Sequence, residues 1–289
     1  MLTVKAPAKI NWSLFVLDKR QDGYHNILSL MQCIGLYDVI EFELSDTITL
    51  YSSLDLPNEQ NLVFKAASLL KNYSGLNIGA RIRLVKEIPS GAGLGGGSSD
   101  AAYTLMALNE LWNMRLGKDQ LKALGASLGS DVPFFFEGPL ALAEGRGEQL
   151  SSLPAAVACV LLLVKVDCSV PTSWAYGALD SARPAQIRPS NVTAKKESIE
   201  LIYRALASGD ISGLAANMHN DFEDAVLQRY PVIGSVKERI LKSGAVAALM
   251  SGSGSSVFGL FNDEGMALEA ASHFPFYFCR VVKTLTKND

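Results

Sequence analysis

The stretch IPSGAGLGGGSSDAA (88–102) gathers Gly91, Gly93, Gly95, Gly96 and Gly97 just ahead of two serines, an acid and an alanine run. A helix start offers unpaired backbone N–H groups and a partial positive charge, and glycines let that backbone wrap a phosphate with no Cβ in the way. Pro89, Ser90, Ala92 and Leu94 share the turn, so residues 89–99 form the candidate phosphate cradle. Ser98 and Ser99 can serve as helix N-caps, or their hydroxyls can hold a phosphate oxygen or Mg²⁺. Asp100 suits the first helical turn but sits awkwardly beside polyphosphate, which gives it a structural or metal-side role.

Gly91, Gly93 and Gly96 satisfy G-x-G-x-x-G. A dinucleotide site also needs a second parallel strand ending in an acid, and a second helical pattern follows here instead. A P-loop carries Lys after its last glycine, where this chain has Ser98. Protein-kinase glycine loops join two strands rather than a strand and a helix. The dinucleotide reading thus fails on its context, and a dinucleotide-binding oxidoreductase is kept only as a disfavoured rival. Elsewhere, Asp131 in SDVPFFFEG sits beside three phenylalanines and Pro133, where a turn or cap residue is the ordinary reading. Lys9 on an alternating segment is ordinarily a solvated lysine, and Tyr24 and His25 in DGYH are ordinarily turn residues packed on a core.

The elements that must position these groups are legible as patterns. Residues 1–17 and 36–51 alternate apolar and polar side chains and read as strands. A helical stretch at 61–73 precedes ARIRLVKEI (80–88), a strand that feeds the glycine run, and helical spacing resumes from Ser98 and again over KDQLKALGASLG. The pattern resets at 153–156, where VACVLLLVKV reads as a buried strand opening a second unit. Residues 195–243 read as helices broken at SGD and RYP, and AVAALM, VFGLF and FYFCRVVKTL read as strands around the small-residue loop SGSGSS (251–256). This is an α+β chain in two domains, 1–154 and 155–289, whose last strand can pack on the first.

A formal charge of −3 argues against a nucleic-acid partner. Four separated cysteines with no CxxC pair suggest neither a zinc cluster nor a disulfide framework. The start of the chain is interrupted by Lys5, Lys9 and Asn11, unlike a signal peptide, and the apolar run ending at Val164 is too short to cross a bilayer. A cytoplasmic protein with no membrane partner is expected.

Three stretches in order, APAKINWSLFVLDKRQDGYHNI (6–27), PSGAGLGGGSSDAA (89–102) and SDVPFFFEG (130–138), with SGSGSSVFGLF (251–261) near the end, resemble the GHMP kinases. The resemblance covers nearly the whole chain. It implies an N-terminal domain with a left-handed βαβ element, a ferredoxin-like C-terminal domain, an active-site cleft between them, and phosphoryl transfer from ATP with Mg²⁺. It further implies that Asp131 is the general base and Lys9 its ion-paired partner. The acceptor it points to is a cytidine diphosphate-linked methylerythritol, with Tyr24 stacking on the base, His25 bonding the base edge and Asn11 helping to hold the ligand. Tyr176 matches the aromatic that closes the other face, with Trp174 as a nearby competitor, and Thr172 contacts base or ribose. Asn61, Leu62 and Lys86 fall in segments that line the adenine pocket of similar enzymes, although a capping Asn and a solvated Lys explain two of them equally well. The loop 251–256 is implied to pack near phosphates and substrate, against the alternative of a plain strand-to-helix turn. Another GHMP small-molecule kinase, such as one acting on mevalonate or homoserine, is the near rival, and a non-catalytic nucleotide sensor the remote one.

Overall fold

A computed structural model describes residues 1–54, 56–154, 157–182 and 192–286. Two long strands, β1 (Leu2–Lys19) and β2 (His25–Ser45), open the chain. Their central residues, 6–16 and 27–34, are buried on both faces. Burial on both faces lets a strand drop the period-two signal, and the first half of β2 does so, whereas β1 keeps its alternation through Lys9, Asn11 and Ser13. By contact the chain forms two compact units, each assembled from separate stretches. Unit 1 holds Met1–Ala8, Leu36–Ser90 and Gly95–Gly138, and unit 2 holds Lys9–Gly35, Gly91–Leu94 and Pro139–Asp289. The sequence division at 154 abuts Ala155 and Ala156, which lie outside the described residues.

Unit 1 continues through β3 (Thr49–Ser52), α1 (Leu62–Ser74), β4 (Gly79–Val85), α2 (Gly96–Leu111) and α3 (Lys118–Ala126). The end of β2 pairs antiparallel with β4 from Val39 to Ser45, and β4 pairs parallel with β3. Helix α1 buries Val63, Ala66, Ala67 and Leu70 and packs against α2. The strand–glycines–helix order expected around residue 91 is what forms, with ten residues linking β4 to α2.

Unit 2 contains β5 (Leu140–Glu144), β6 (Gln149–Ser152), β7 (Val160–Lys165), α4 (Thr172–Ala182), α5 (Val192–Ser208), α6 (Ile211–Asn217), β8 (His219–Asn220), α7 (Glu223–Arg229), α8 (Pro231–Lys242), β9 (Ala247–Met250), β10 (Ser256–Phe261), α9 (Glu264–Ala271) and β11 (Phe278–Lys283). Strands β7, β9, β10 and β11 make an antiparallel sheet in the order β11-β7-β10-β9, the ferredoxin-like order. Within the same unit β5 pairs with the first half of β2, and the two-residue β8 pairs parallel with β1 at Ser13 and Leu14. The loop 251–256 joins β9 to β10, so the strand-to-helix alternative gives way to a strand-to-strand link. The core draws Leu14, Val16 and Ile27 together with Val164, Phe222 and Phe261.

Candidate active site

In unit 1 the N-cap of α2 is Gly95, in the left-handed conformation with a φ of 68°. Ser98 and Ser99 therefore lie inside the first turn, and the capping role read for them passes to a glycine that can take the left-handed conformation. Ser98 is half-buried, while Ser99 Oγ is buried with no hydrogen-bond partner. Behind this turn, Lys86 Nζ donates to Asp100 Oδ2 at 2.7 Å and to Asp38 Oδ2. Asp38 is fully buried and its Oδ1 accepts the backbone N–H groups of Glu87 and Ile88, at 2.7 and 2.9 Å. Burial pushes the Asp100 carboxyl up to about 7; Lys86 pulls it down and Asp38 pushes it up. A solvated Lys86 is thus corrected: its side chain is 8% exposed and pinned between two carboxylates. Lys86 also reaches the helix start, its Nζ 3.2 Å from where a Cβ on Gly96 would stand.

Asp38 escaped the sequence reading, although a signal exists. On the alternating end of β2 it has the same parity as Leu36, Ile40 and Phe42, which are buried. A carboxylate on the apolar face of a strand needs a partner, and here the partner is Lys86. Asn61 caps α1, its side chain accepting from Val63 N at 2.9 Å, and Leu62 opens that helix. Asp131 is half-buried at the entrance of a short 3-10 turn, Val132–Phe136, whose five residues are buried. Its side chain makes no cap hydrogen bond to that turn. Ser98 Oγ lies 3.9 Å from the Cβ position of Gly129, two residues before Asp131.

Unit 2 holds the remaining candidates. Lys9 is 4% exposed, contrary to the ordinary solvated reading, and donates to Asn11 Oδ1 at 2.8 Å. Asn11 Oδ1 also accepts from Gly252 N, and its amide nitrogen donates to Ser29 Oγ. Asn11 thereby ties β1 to β2 and to the 251–256 loop. That loop in turn grips the glycine run: Ser251 Oγ donates to Gly93 O at 3.0 Å, and Ser256 N donates to Ala92 O. Lys9 N donates to Leu94 O at 2.9 Å, so Gly91–Leu94 are hung from β1 and from the loop after β9. Gly93, with φ of 76°, packs so closely on the Ser251 carbonyl that a Cβ would overlap it.

Also in unit 2, His25 is buried and stacks on Tyr176 with ring centroids 4.9 Å apart and planes 15° apart. Tyr176 meets Phe222 edge-on, whereas Trp174 packs edge-on against Tyr230. The structure thus brings Tyr176, not Trp174, to His25. Tyr24 is exposed, with the Arg146 guanidinium 5.0 Å from its ring centre. Thr172 Oγ1 lies 2.9 Å from Ser253 Oγ, which connects α4 to the 251–256 loop. Arg146 and Asp180 were not read from the sequence, since neither sits in a recognisable pattern.

Unit 1 offers an anion a bare helix start with Lys86 and two carboxylates behind it, and unit 2 offers the buried Lys9 and the stacked His25–Tyr176 pair; these are group types that positioning and charge compensation in phosphoryl transfer use. Residues 61–139 match the family model described as GHMP kinases N terminal domain, and residues 202–278 match GHMP kinases C terminal. A protein of Thermodesulfovibrio yellowstonii called 4-diphosphocytidyl-2-C-methyl-D-erythritol kinase is 47% identical over 287 residues, 99% of each chain. One of the same name from Geobacter metallireducens is 42% identical over 276 residues, 93% of this chain and 92% of its own. A crystal structure of 4-(cytidine 5'-diphospho)-2C-methyl-D-erythritol kinase superposes with a TM-score of 0.83 at 35% identity, covering 98% of this chain and 99% of that one. Mevalonate kinase of L. major, 16% identical with a TM-score of 0.76 over 99% of this chain and 97% of its own, shares the fold.

Proposed function

We propose, from the premise that this chain belongs to the GHMP kinases, that it transfers the γ-phosphoryl group of ATP to the 2-hydroxyl of 4-diphosphocytidyl-2-C-methyl-D-erythritol and releases ADP. It is an ATP-dependent phosphotransferase with an alcohol acceptor, an enzyme of isoprenoid-precursor synthesis. The observation that carries the reading is full-length identity of 47% to a relative of that name, together with the residues that the chemistry needs. Main-chain amides of residues 89–99, with Ser98 and Ser99, hold the triphosphate, and Asn61 and Lys86 serve the nucleotide. Asp131 takes the proton from the acceptor hydroxyl, and Lys9 favours the ionised carboxylate and steadies the charge that grows on the oxygen. Asn11, Tyr24, His25, Thr172 and Tyr176 hold the cytidyl acceptor. In this division of labour residues 1–154 carry the ATP-binding side and 155–289 complete the acceptor side.

Mg²⁺ accompanies ATP in the proposal. Among the described residues no group of three or more His, Cys, Asp or Glu forms a metal cage. That donor set fits an ion carried in by phosphate oxygens with one or two protein oxygens, and the half-buried Ser98 hydroxyl at the helix start suits the task. When bound, the ion neutralises charge on the phosphoryl oxygens. Among the described residues no helix is long and apolar enough to cross a membrane.

Incubation with ATP, Mg²⁺ and the cytidyl acceptor is expected to give ADP and a singly phosphorylated product by mass spectrometry. Asp131→Asn and Lys9→Ala are each expected to lower kcat by about 10²–10⁴-fold with the unfolding midpoint retained. Turnover within a few-fold of wild type removes that residue from the mechanism. Phosphorylation of mevalonate or homoserine with none of the cytidyl compound replaces the substrate.

A further inference from the structure

His25 has two ring nitrogens, and the structure decides what each can do. Its Nε2 lies 2.7 Å from Asp180 Oδ1, in a side chain that is 6% exposed. Asp180 stands four residues beyond Tyr176 on α4, and Tyr176 four beyond Thr172, so one face of that helix presents all three. Lys19 Nζ holds the other carboxylate oxygen, Oδ2, at 2.6 Å. That hydrogen bond leads the effects that lower the Asp180 pKa, so its carboxyl stays ionised at neutral pH. An ionised carboxylate only accepts. In the neutral ring Nε2 therefore carries the hydrogen, and Nδ1 presents a lone pair that meets no partner among the described residues. The ring plane is fixed as well: Tyr176 stacks on it, and Phe222 backs Tyr176 edge-on at 4.9 Å. A base lying on the same face of Tyr176, in the imidazole plane, meets the imidazole edge.

We propose that Asp180 is a positioning residue for base recognition: it fixes His25 as the Nε2–H tautomer, and the Nδ1 lone pair then selects a pyrimidine with an exocyclic amino group over one with an oxo group. The inference rests on the reading that His25 addresses the base edge. The logic is reciprocal. With the opposite tautomer Nδ1 would donate, and an oxo group at the same position would be favoured. A site that leaves a lone pair facing an oxo oxygen discriminates by repulsion as well as by a lost hydrogen bond.

The chain has three histidines, so ¹⁵N-histidine spectra of the full-length protein are simple, and His25→Gln identifies the relevant signals. CDP and UDP are titrated calorimetrically into wild type, Asp180→Asn and Asp180→Ala. Wild type is expected to hold the Nε2–H tautomer and to prefer CDP. In Asp180→Asn the amide can either accept from or donate to Nε2, so both tautomers are expected to appear. The CDP preference should then fall about tenfold, while the ATP KM and the unfolding midpoint stay unchanged. The isosteric Asn variant keeps the test valid should Asp180→Ala fold poorly. A wild-type His25 protonated at Nδ1 in place of Nε2, or an unchanged preference in Asp180→Asn, overturns the role of Asp180 and leaves the acceptor reading intact. A wild type that binds CDP and UDP alike overturns both.

Discussion

Lys86, just past the end of β4, places an ammonium behind the start of α2. Its charge is compensated by Asp38 and Asp100, and Asp100 Oδ1 is buried with no hydrogen-bond partner. Such a carboxylate binds its proton more tightly folded than unfolded. Its value moves from 3.8 to about 7, so the folded chain holds more protons between those limits and stability falls as pH rises through them. The contribution is complete below pH 3.8 and lost above about 7. Urea midpoints from pH 4 to 8 are expected to fall more steeply for wild type than for Asp100→Asn, by a few kcal/mol over that window. Parallel curves would mean that Asp100 does not titrate there. The glycines stand out as a local run, whereas Lys9, Asn11 and Asp131 are singled out by the resemblance of the ordered motifs that hold them. Asp180 could not be named from the sequence, because its meaning depends on meeting His25 across 155 residues of chain.

At the level of elements, the glycine run is held by another loop rather than by itself. Gly91 and Gly93 both have positive φ, 63° and 76°, yet a Cβ on Gly91 meets nothing within 4 Å while one on Gly93 overlaps the Ser251 carbonyl. Gly91→Ala is expected to cost about 1–2 kcal/mol for the left-handed backbone alone, and Gly93→Ala about 1–3 kcal/mol more from the overlap. Equal losses in urea titrations would show that the 251–256 loop yields freely. The strand, turn and helix around these glycines were legible, as were β7, β10, β11 and the helices of 192–242, because each keeps a clean period or apolar run. The first half of β2, the β5–β6 hairpin and the two-residue β8 were not. The first half of β2, buried on both faces, carries no alternation, and a two-residue strand is defined only by its partner.

The units of the whole molecule are not consecutive in sequence. Unit 2 needs residues 9–35 as well as those after 139: Leu14, Val16 and Ile27 belong to its core, β8 pairs on β1, and Gly252 N donates to Asn11. A polypeptide of residues 139–289 is expected to show no cooperative urea transition by circular dichroism, whereas the full chain does. A sharp transition in the fragment, near the full-length midpoint, would count against these units. No local pattern could have announced this interleaving, since pairing between distant stretches leaves no mark on either one alone. The bond from Val16 N to Asp221 spans 205 residues. At about 5–20 residues per second on the ribosome, the Ser13–Val16 part of β1 waits about 10–40 s for β8 and Asp221 to be made. During that interval the edge of β1 that later receives β8 has no partner strand.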